Sequence, residues 1–261
     1  MKILTSQVSC ANQTTKPLAL ESFQKGSLSS DVAASLSRVR DRISEAAQTA
    51  GRDPNDVILV AVTKGVEVSA IREAIAAGQT EFGENRAQEL LAKVRAIQEP
   101  VRWHFIGRLQ TNKVKDVVGS AYAIHSIDRL ALAQQIGQTA PGRVRVLLQV
   151  NTSGEQTKAG VAPEAVPETL AAMLEIQHLD PVGLMTMGPH VASEIELRDC
   201  FRQLARLRDQ AAQEFGSSII RHLSMGMSQD YGVAIQEGAT MVRIGSAIFG
   251  PRGPMLQDVA S

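Results

Sequence analysis

The stretch VILVAVTK at 57–64 is the most informative segment of the chain for its fold. It is an almost unbroken apolar run rich in β-branched residues, which is typical of a strand covered on both faces. The following stretch, VSAIREAIAAG at 68–78, has the apolar spacing of an amphipathic helix and ends on a glycine. A buried strand followed directly by such a helix is the repeating unit of α/β proteins with a parallel sheet.

The same unit recurs along the rest of the chain. Helices alternate with further predicted strands at 80–85, 101–107, 121–127, 144–152, 180–188 and 219–226, and 239–250 is predicted as the last strand and its loop. One extra helix, capped by Ser30 or Asp31 and ending near Ala50, precedes the first strand. Eight strand–helix units predict a closed (β/α)8 TIM barrel. The alternative is an open doubly wound sheet, which would be favoured by a G-x-G-x-x-G turn after the first strand, and that turn is missing there.

Length and charge fit one neutral globular domain. The chain has 261 residues, and an α/β barrel commonly needs roughly 250. We expect a barrel domain at 29–261, preceded at 1–28 by a flexible extension rich in Ser, Thr and Gln. Lys and Arg together number 27, as do Asp and Glu, so the formal net charge is zero. A neutral chain gives no electrostatic reason to expect nucleic acid or an anionic membrane as a partner.

Other features of the composition predict a reduced, cytoplasmic setting. No apolar run is long enough to span a bilayer, and the first residues lack the apolar core of a secretory signal. The two cysteines, Cys10 and Cys200, stand in a polar terminal stretch and in a predicted helix, which argues against a disulfide scaffold. No His, Cys or Asp residues have the spacing of metal ligands, so no metal site is predicted.

Lys64 is the first candidate for chemistry. The active groups of α/β barrels lie at the carboxyl ends of the strands, and Lys64 ends the most apolar strand of this chain. Apolar surroundings favour the neutral amine that forms a Schiff base with a carbonyl compound. The alternative is a surface lysine whose ammonium group reaches water, and position alone does not choose between the two.

The last two strands supply a candidate phosphate site. Barrels often bind phosphate with the loops after strands 7 and 8, which here are SMGMS at 224–228 and IGSAIFG at 244–250. Both turns contain glycine and hydroxyl groups, so their backbone N–H groups can approach an anion. Arg243 lies in strand 8, where burial requires an anionic partner. That partner is either a phosphate or an internal carboxylate, for example Glu84.

Two further segments offer weaker candidates. The stretch FGEN at 82–85 places Glu84 and Asn85 at the end of strand 2, where they either orient a cofactor or cap the next helix. In WHFIGRLQTNK at 103–113, His104 is predicted to be a hydrogen-bonded core histidine, not a catalytic base. The polar residues from Gln110 to Lys113 are expected to start a helix.

Taken together, these motifs resemble the pyridoxal phosphate homeostasis protein family. The resemblance covers about residues 31–253, and its motifs stand in the same order along the chain. They are AVTKG (61–65), EFGENRAQE (81–89), WHFIGRLQTNK (103–113), HSIDR (125–129), VNTSGEQTKAG (150–160), GLMTMGP (183–189), LSMGMSQD (223–230) and MVRIGSAIFG (241–250). The resemblance implies a fold type III barrel, like the N-terminal domain of alanine racemase, with pyridoxal 5′-phosphate (PLP) as cofactor.

The resemblance also implies roles for individual residues. Lys64 matches the lysine that carries PLP, and Asn85 matches an asparagine near the cofactor. The phosphate-binding positions of the family match Ser224, Arg243, Gly245 and Ser246. The implied function is PLP homeostasis without established catalysis. We expect a monomer that buffers PLP or delivers it to apo forms of PLP-dependent enzymes.

Two enzymatic alternatives remain open at this stage. A PLP-dependent amino-acid racemase needs an acid or base on each face of the cofactor, and the second group in alanine racemase is a tyrosine. The only tyrosines here are Tyr122, at the start of strand 4, and Tyr231. A Schiff-base aldolase without PLP also fits a lysine beside a phosphate site. Neither alternative accounts for the motif set, so no catalytic residue is predicted.

Overall fold

The computed structural model describes residues 31–155, 157–189 and 193–251. Its eight parallel strands pair in chain order, and β8 pairs with β1 to close a barrel. The strands are β1 (Ile58–Val62), β2 (Glu81–Glu84), β3 (Arg102–Phe105), β4 (Ala123–Ile127), β5 (Val144–Gln149), β6 (Leu179–Met185), β7 (His222–Ser224) and β8 (Met241–Ile244). The predicted (β/α)8 barrel is therefore confirmed.

Helices surround the barrel and connect its strands. They are α1 (Val32–Thr49), α2 (Val68–Ala76), α3 (Ala87–Ala96), α4 (Val114–Val118), α5 (Leu130–Thr139), α6 (Val166–Leu174), α7 (Glu194–Phe215), α8 (Tyr231–Gln236) and α9 (Ser246–Phe249). The extra helix α1 begins where it was predicted, since the side chain of Asp31 accepts a hydrogen bond from the backbone N–H of Ala34. The extension predicted at 1–28 lies outside the described residues.

Two of the predicted strands are much shorter than their apolar runs. Strand β7 has three residues where 219–226 was predicted, and β8 has four within 239–250, which was predicted as a strand and its loop. Ile220 and Met225 are fully buried, yet both lie outside the β7 ladder. An apolar run indicates buried residues, which are not always strand residues. Here the loops that flank β7 also pack into the core. The predicted loop at the end of 239–250 contains α9.

Apolar and polar side chains share the barrel interior. A small apolar cluster inside the barrel consists of Leu147, Val182, Met185 and Met241. Side chains two residues apart along a strand face the same side of a sheet, so Arg243 lies on the inner face above Met241. Polar groups thus occupy the part of the interior from which the β7 and β8 turns emerge.

Candidate functional site

Closure of the barrel brings the two predicted halves of the site together. Strand β1 pairs with β2 on one side and with β8 on the other, and Ala61 lies opposite both Phe82 and Ile244. Lys64, two residues beyond β1, therefore lies between the ends of β2 and β8. A Cβ atom on Gly245 would lie 3.1 Å from the carbonyl oxygen of Val62, so the β8 turn packs directly against the strand that leads to Lys64.

Lys64 lies in a tight turn at the barrel mouth. Thr63 is fully buried, and its carbonyl oxygen accepts a hydrogen bond from the N–H of Val66 at 2.9 Å. Gly65 has φ +67°, a backbone conformation that glycine adopts without strain. Lys64 itself is half-buried, at the end of the strand that leads out of the core.

A buried ion pair holds this turn from below. The ammonium group of Lys93, on α3, donates to the carboxylate of Glu84 at 2.5 Å and to the carbonyl oxygen of Thr63 at 2.6 Å. The hydroxyl of Thr63 donates to the same carboxylate at 2.6 Å. Glu84 is fully buried, and the Lys93 side chain is 8% exposed, so few water molecules compete for these contacts.

These contacts decide between the roles that were considered for Glu84. It does not pair with Arg243, because its carboxylate contacts Lys93 and Thr63. It also does not cap α3, since that helix begins after Arg86 without a side-chain cap. Glu84 is thus part of the support for the Lys64 turn.

The side chain of Asn85 offers a buried hydrogen-bond acceptor to a ligand. Its backbone N–H donates to the second carboxylate oxygen of Glu84 at 3.1 Å. Its side-chain Oδ1 is buried and has no hydrogen-bond partner among the residues that the structure describes. A buried polar atom without a partner costs about 1–3 kcal/mol, which a ligand that donates a hydrogen bond would recover.

The β7 and β8 turns face the same mouth as Lys64. The N–H of Gly245 donates to the hydroxyl of Ser228 at 3.3 Å, so the two turns contact each other directly. Ser246 is exposed and begins α9. Ser228 belongs to the predicted SMGMS turn but was not singled out from the sequence. The sequence feature that could have identified Ser228 is its hydroxyl group, two residues after the turn glycine.

Arg243 is a buried cation held by neutral groups. Its guanidinium donates to the hydroxyl oxygen of Ser224 at 2.6 Å and to the carbonyl oxygen of Thr186 at 2.9 Å. Within the described part of the chain, no carboxylate lies within ion-pair distance of it. Burial lowers the pKa of Arg243 to about 10, an effect that the charge of Asp230 partly opposes. Arg243 is therefore still protonated at neutral pH.

A line of hydrogen bonds runs from Ser224 down through the barrel. The Ser224 hydroxyl lies 2.8 Å from Nδ1 of His125, whose Nε2 lies 2.8 Å from Nδ1 of His104. Nε2 of His104 lies 2.7 Å from the carboxylate of Glu81, which Arg102 also contacts. His104 is thus buried and hydrogen-bonded, as predicted. The line itself was not predicted, because four separate strands contribute to it.

The charge at the lower end sets the direction of these bonds. Burial alone would raise the pKa of Glu81, but hydrogen bonds from His104 and Arg102 outweigh it and hold that pKa below its usual value, so Glu81 only accepts. Burial and neighbouring positive charges lower the pKa of His125 well below 6.5, so its ring is neutral. Glu81 therefore accepts a hydrogen bond from Nε2 of His104, and the hydroxyl oxygen of Ser224 accepts one from Arg243.

The described residues contain neither a candidate metal cluster nor a helix that could span a membrane. No cluster of three or more His, Cys, Asp or Glu residues there could hold a metal ion. None of the helices described has the length and apolar character to cross a bilayer. Cys200 is a buried free thiol, 3.0 Å from the hydroxyl of Thr152, and burial raises its pKa. A buried thiol with a raised pKa is a poor nucleophile.

Several known proteins resemble this chain over most of its length. The family model for the N-terminal domain of alanine racemase matches residues 34–253. A pyridoxal phosphate homeostasis protein from Aquifex aeolicus is 45% identical over 83% of this chain and 96% of its own length. The protein of the same name from Escherichia coli K12 is 41% identical over 85% of this chain and 97% of its own length.

A solved structure adds a bound molecule to the comparison. PipY from Synechococcus elongatus, with PLP bound, superposes with a TM-score of 0.74 and 33% sequence identity. The match covers 84% of this chain and all of that one. The resemblance noted in the sequence is confirmed, and this chain belongs to the pyridoxal phosphate homeostasis protein family, whose barrel is that of the alanine racemase N-terminal domain.

Proposed function

We propose that this protein binds PLP as a Schiff base on Lys64 and serves in PLP homeostasis, by buffering or delivering the cofactor without turnover. The observation that carries the proposal is the buried guanidinium of Arg243, which has no carboxylate partner in the described residues and lies next to the turn beside Lys64. A phosphate group is a suitable anionic partner for such a cation. The names of the homologues and the PLP-bound relative support the choice of phosphate ester.

The available groups fit PLP at both ends. Lys64 would supply the amine, and the N–H and hydroxyl groups of Gly245, Ser246 and Ser228 would surround the phosphate. Arg243 and Ser224 would support that phosphate site from inside the barrel. The unpartnered Oδ1 of Asn85 would accept a hydrogen bond from the cofactor. When bound, PLP supplies an aldehyde that condenses with an amine and releases water.

The surroundings of Lys64 favour exchange over catalysis. Lys64 is half-buried in an open turn, so a soluble amine could replace it and release the cofactor. Catalytic sites that work on reactive intermediates usually exclude water. Buffering and delivery require only this reversible exchange, together with a phosphate site that retains the cofactor between exchanges.

The tyrosines offer no support for racemisation. Tyr122 precedes β4 at the amino end of the barrel, where the guanidinium groups of Arg102 and Arg145 lie 4.9 and 4.6 Å from its ring centre. Tyr231, on α8, is 5% exposed, and its hydroxyl is buried without a hydrogen-bond partner among the described residues. A racemase would need one such group at the mouth, opposite Lys64. We accordingly propose a non-catalytic, cytoplasmic monomer that passes PLP to apo-enzymes.

Reductive labelling tests the attachment site. Purified protein loaded with PLP should be yellow, and borohydride should fix the cofactor on Lys64, as mapped by mass spectrometry of peptides. Lys64→Ala should abolish the fixed label, whereas Lys115→Ala, which changes an exposed lysine on α4, should keep it. A label on another lysine, or no chromophore at all, would overturn the assignment.

Turnover and transfer test the proposed role. The loaded protein should restore activity to an apo form of a PLP-dependent enzyme, and Lys64→Ala should change the rate of that transfer. Conversion of L-alanine to D-alanine should stay at the level of buffer. Sustained racemisation that disappears in Lys64→Ala would establish an enzyme and contradict the carrier role.

A further inference from the structure

A cavity of about 810 Å³ opens at the barrel mouth beside the ends of β2, β3 and β4. This volume lies in the range of roughly 300–1,000 Å³ that small-molecule sites occupy. Its lining combines the FGENRAQE, HFIGRLQTNK and HSIDR motifs, of which the PLP site uses only Asn85. Neither Lys64 nor Arg243 lines it, so the cavity extends beyond the residues assigned to the cofactor.

The lining of this cavity has more cations than carboxylates. Four lining residues are cations, Arg86, Arg108, Lys113 and Arg129, and one is a carboxylate, Asp128. Two carboxylates outside the lining, Glu89 and Asp116, lie 3.6 Å from Arg86 and Lys113. The overall chain is neutral, so this excess is a local property of the cavity. The remaining polar lining, Gln88, Gln110 and Thr111, adds amide and hydroxyl donors. Guanidinium and amide donors around a concave site are the groups that recognise carboxylates and phosphates.

The one carboxylate in the cavity is already engaged. Asp128 does not cap α5, because that helix begins after Arg129 without a side-chain cap. One oxygen of Asp128 accepts from the guanidinium of Arg129, and the other lies 3.8 Å from Nε of Arg108. Asp128 thus contacts two arginines of the cavity lining instead of capping the helix.

Backbone contacts hold the walls in place before any ligand arrives. A Cβ on Gly107 would lie 2.0 Å from the carbonyl oxygen of Asn85, so the loop after β3 passes in close contact with the end of β2. The hydroxyl of Ser126 donates to the carbonyl oxygen of Gly107 at 2.5 Å, which ties the same loop to β4. Arg129 donates to the hydroxyl of Thr111 across the cavity rim at 3.2 Å.

We propose that this cavity is a second ligand site, which takes a compact dianion such as a dicarboxylate or a phosphate monoester. Helix α3 forms one wall through Arg86 and Gln88, and further along the same helix Glu89 and Lys93 hold the Lys64 turn. A ligand in the cavity therefore contacts the helix that supports the cofactor lysine. The proposal does not depend on PLP being attached to Lys64.

Calorimetric titration of the full-length, PLP-loaded protein tests the proposal. The probes are succinate, as a dicarboxylate, and inorganic phosphate, with sodium chloride at equal ionic strength as reference. At least one of the two probes should bind saturably, and Arg108→Ala/Lys113→Ala should weaken that binding at least tenfold. Arg95→Ala removes an exposed cation of α3 that does not line the cavity and should bind as the wild type does.

The other outcomes overturn the proposal. Binding by neither probe, or equal losses in the Arg95→Ala control, would leave only a solvated basic surface. Phosphate binding that survives the double substitution but is lost in Arg243→Ala would belong to the β7 and β8 turns. Binding that appears only in protein stripped of PLP would make the cavity part of the cofactor site. Far-ultraviolet circular dichroism of each variant establishes that a loss of binding is not a loss of folding.

Discussion

Each end of the proposed PLP site contains a buried cation, but only the cation at the lysine end has a carboxylate partner among the described residues. At the lysine end, Lys93 is paired with the buried carboxylate of Glu84, and both groups support the Lys64 turn. At the phosphate end, Arg243 contacts a hydroxyl and a backbone carbonyl, and no described carboxylate pairs with it. The lysine end is electrostatically complete without a ligand, whereas the phosphate end carries a buried positive charge that an anion would neutralise.

The ion pair at the lysine end holds the turn, whereas the cation at the phosphate end would hold the cofactor. A complete ion pair fixes the geometry of the Lys64 turn whether or not PLP is present. A cation without its anion makes binding at the other end depend on the phosphate. A protein that buffers a phosphorylated cofactor needs both properties, because the amine must stay in place while the cofactor comes and goes.

The largest expected effect is loss of the pair at the lysine end. Lys93→Ala should lower the free energy of unfolding by about 3–5 kcal/mol, because it leaves the Glu84 carboxylate buried without a counter-charge. Urea denaturation at pH 7 measures the change. Lys93→Met/Glu84→Gln removes both charges and should lose clearly less stability. If the double variant is as unstable as Lys93→Ala, the pair acts through packing and not through charge.

The next largest effect should appear at the phosphate end, in binding. Arg243→Ala should raise the dissociation constant for PLP about 10- to 150-fold, since charge-assisted hydrogen bonds contribute about 1.5–3 kcal/mol. Titration followed by the absorbance of the bound cofactor measures it. Arg143→Ala removes an exposed arginine that pairs with Asp180 at the amino end of the barrel and serves as the control. Unchanged PLP affinity in Arg243→Ala would mean that Arg243 has only a structural role.

The sequence predicts the position of both ends but not their partners. Barrel closure follows from the eight strand–helix units, and it alone places Lys64 beside the Gly245 turn. By contrast, the sequence left Arg243 with two possible partners, a phosphate or Glu84. In the structure Glu84 pairs with Lys93 and not with Arg243. Lys93 lies in a helix, and no sequence motif indicated a role for it. Pairing between a strand and the following helix depends on side-chain geometry that spacing does not reveal.

The line of hydrogen bonds inside the barrel was hidden for a related reason. Its members, Glu81, His104, His125 and Ser224, come from four different strands. Which of them meet depends on the register of each strand pair, and a register shift occurs next to β4. Sequence patterns show which residues face inward, but they do not show at what height in the barrel each one lies.

A third prediction concerns the acid response of the phosphate end. The pKa of His125 lies well below 6.5 because the ring is buried beside His104, Arg243 and His222. Below pH 6.5 the unfolded chain therefore binds a proton that the folded chain does not. The stability that comes from the neutral ring is complete above about pH 6.5 and is lost as the pH falls toward the pKa of the folded state, by up to about 1.4 kcal/mol per pH unit.

Denaturation as a function of pH checks this response. His125→Asn should be less stable at pH 7 but should show a shallower loss between pH 6.5 and pH 5, by about one proton. His178→Asn changes a histidine outside the barrel, in a turn with φ +66° that asparagine tolerates, and should keep the wild-type slope. Saturating PLP should also reduce the slope, because an anion near Arg243 makes a proton on His125 less costly. An identical slope in His125→Asn would place the acid response elsewhere.

The smallest expected effect tests the outer support of the lysine end. Glu89 accepts a hydrogen bond from the N–H of Gly65 at 2.8 Å and lies 3.5 Å from the ammonium group of Lys93. Glu89→Ala should cost about 1 kcal/mol of stability, speed hydrogen exchange at the Gly65 amide and change PLP affinity less than Arg243→Ala does. Glu89→Gln keeps an acceptor for Gly65 and should lie between the two. Unchanged hydrogen exchange at Gly65 in Glu89→Ala would contradict this role of Glu89. The pair of Lys93 and Glu84 would then be sufficient to hold the Lys64 turn.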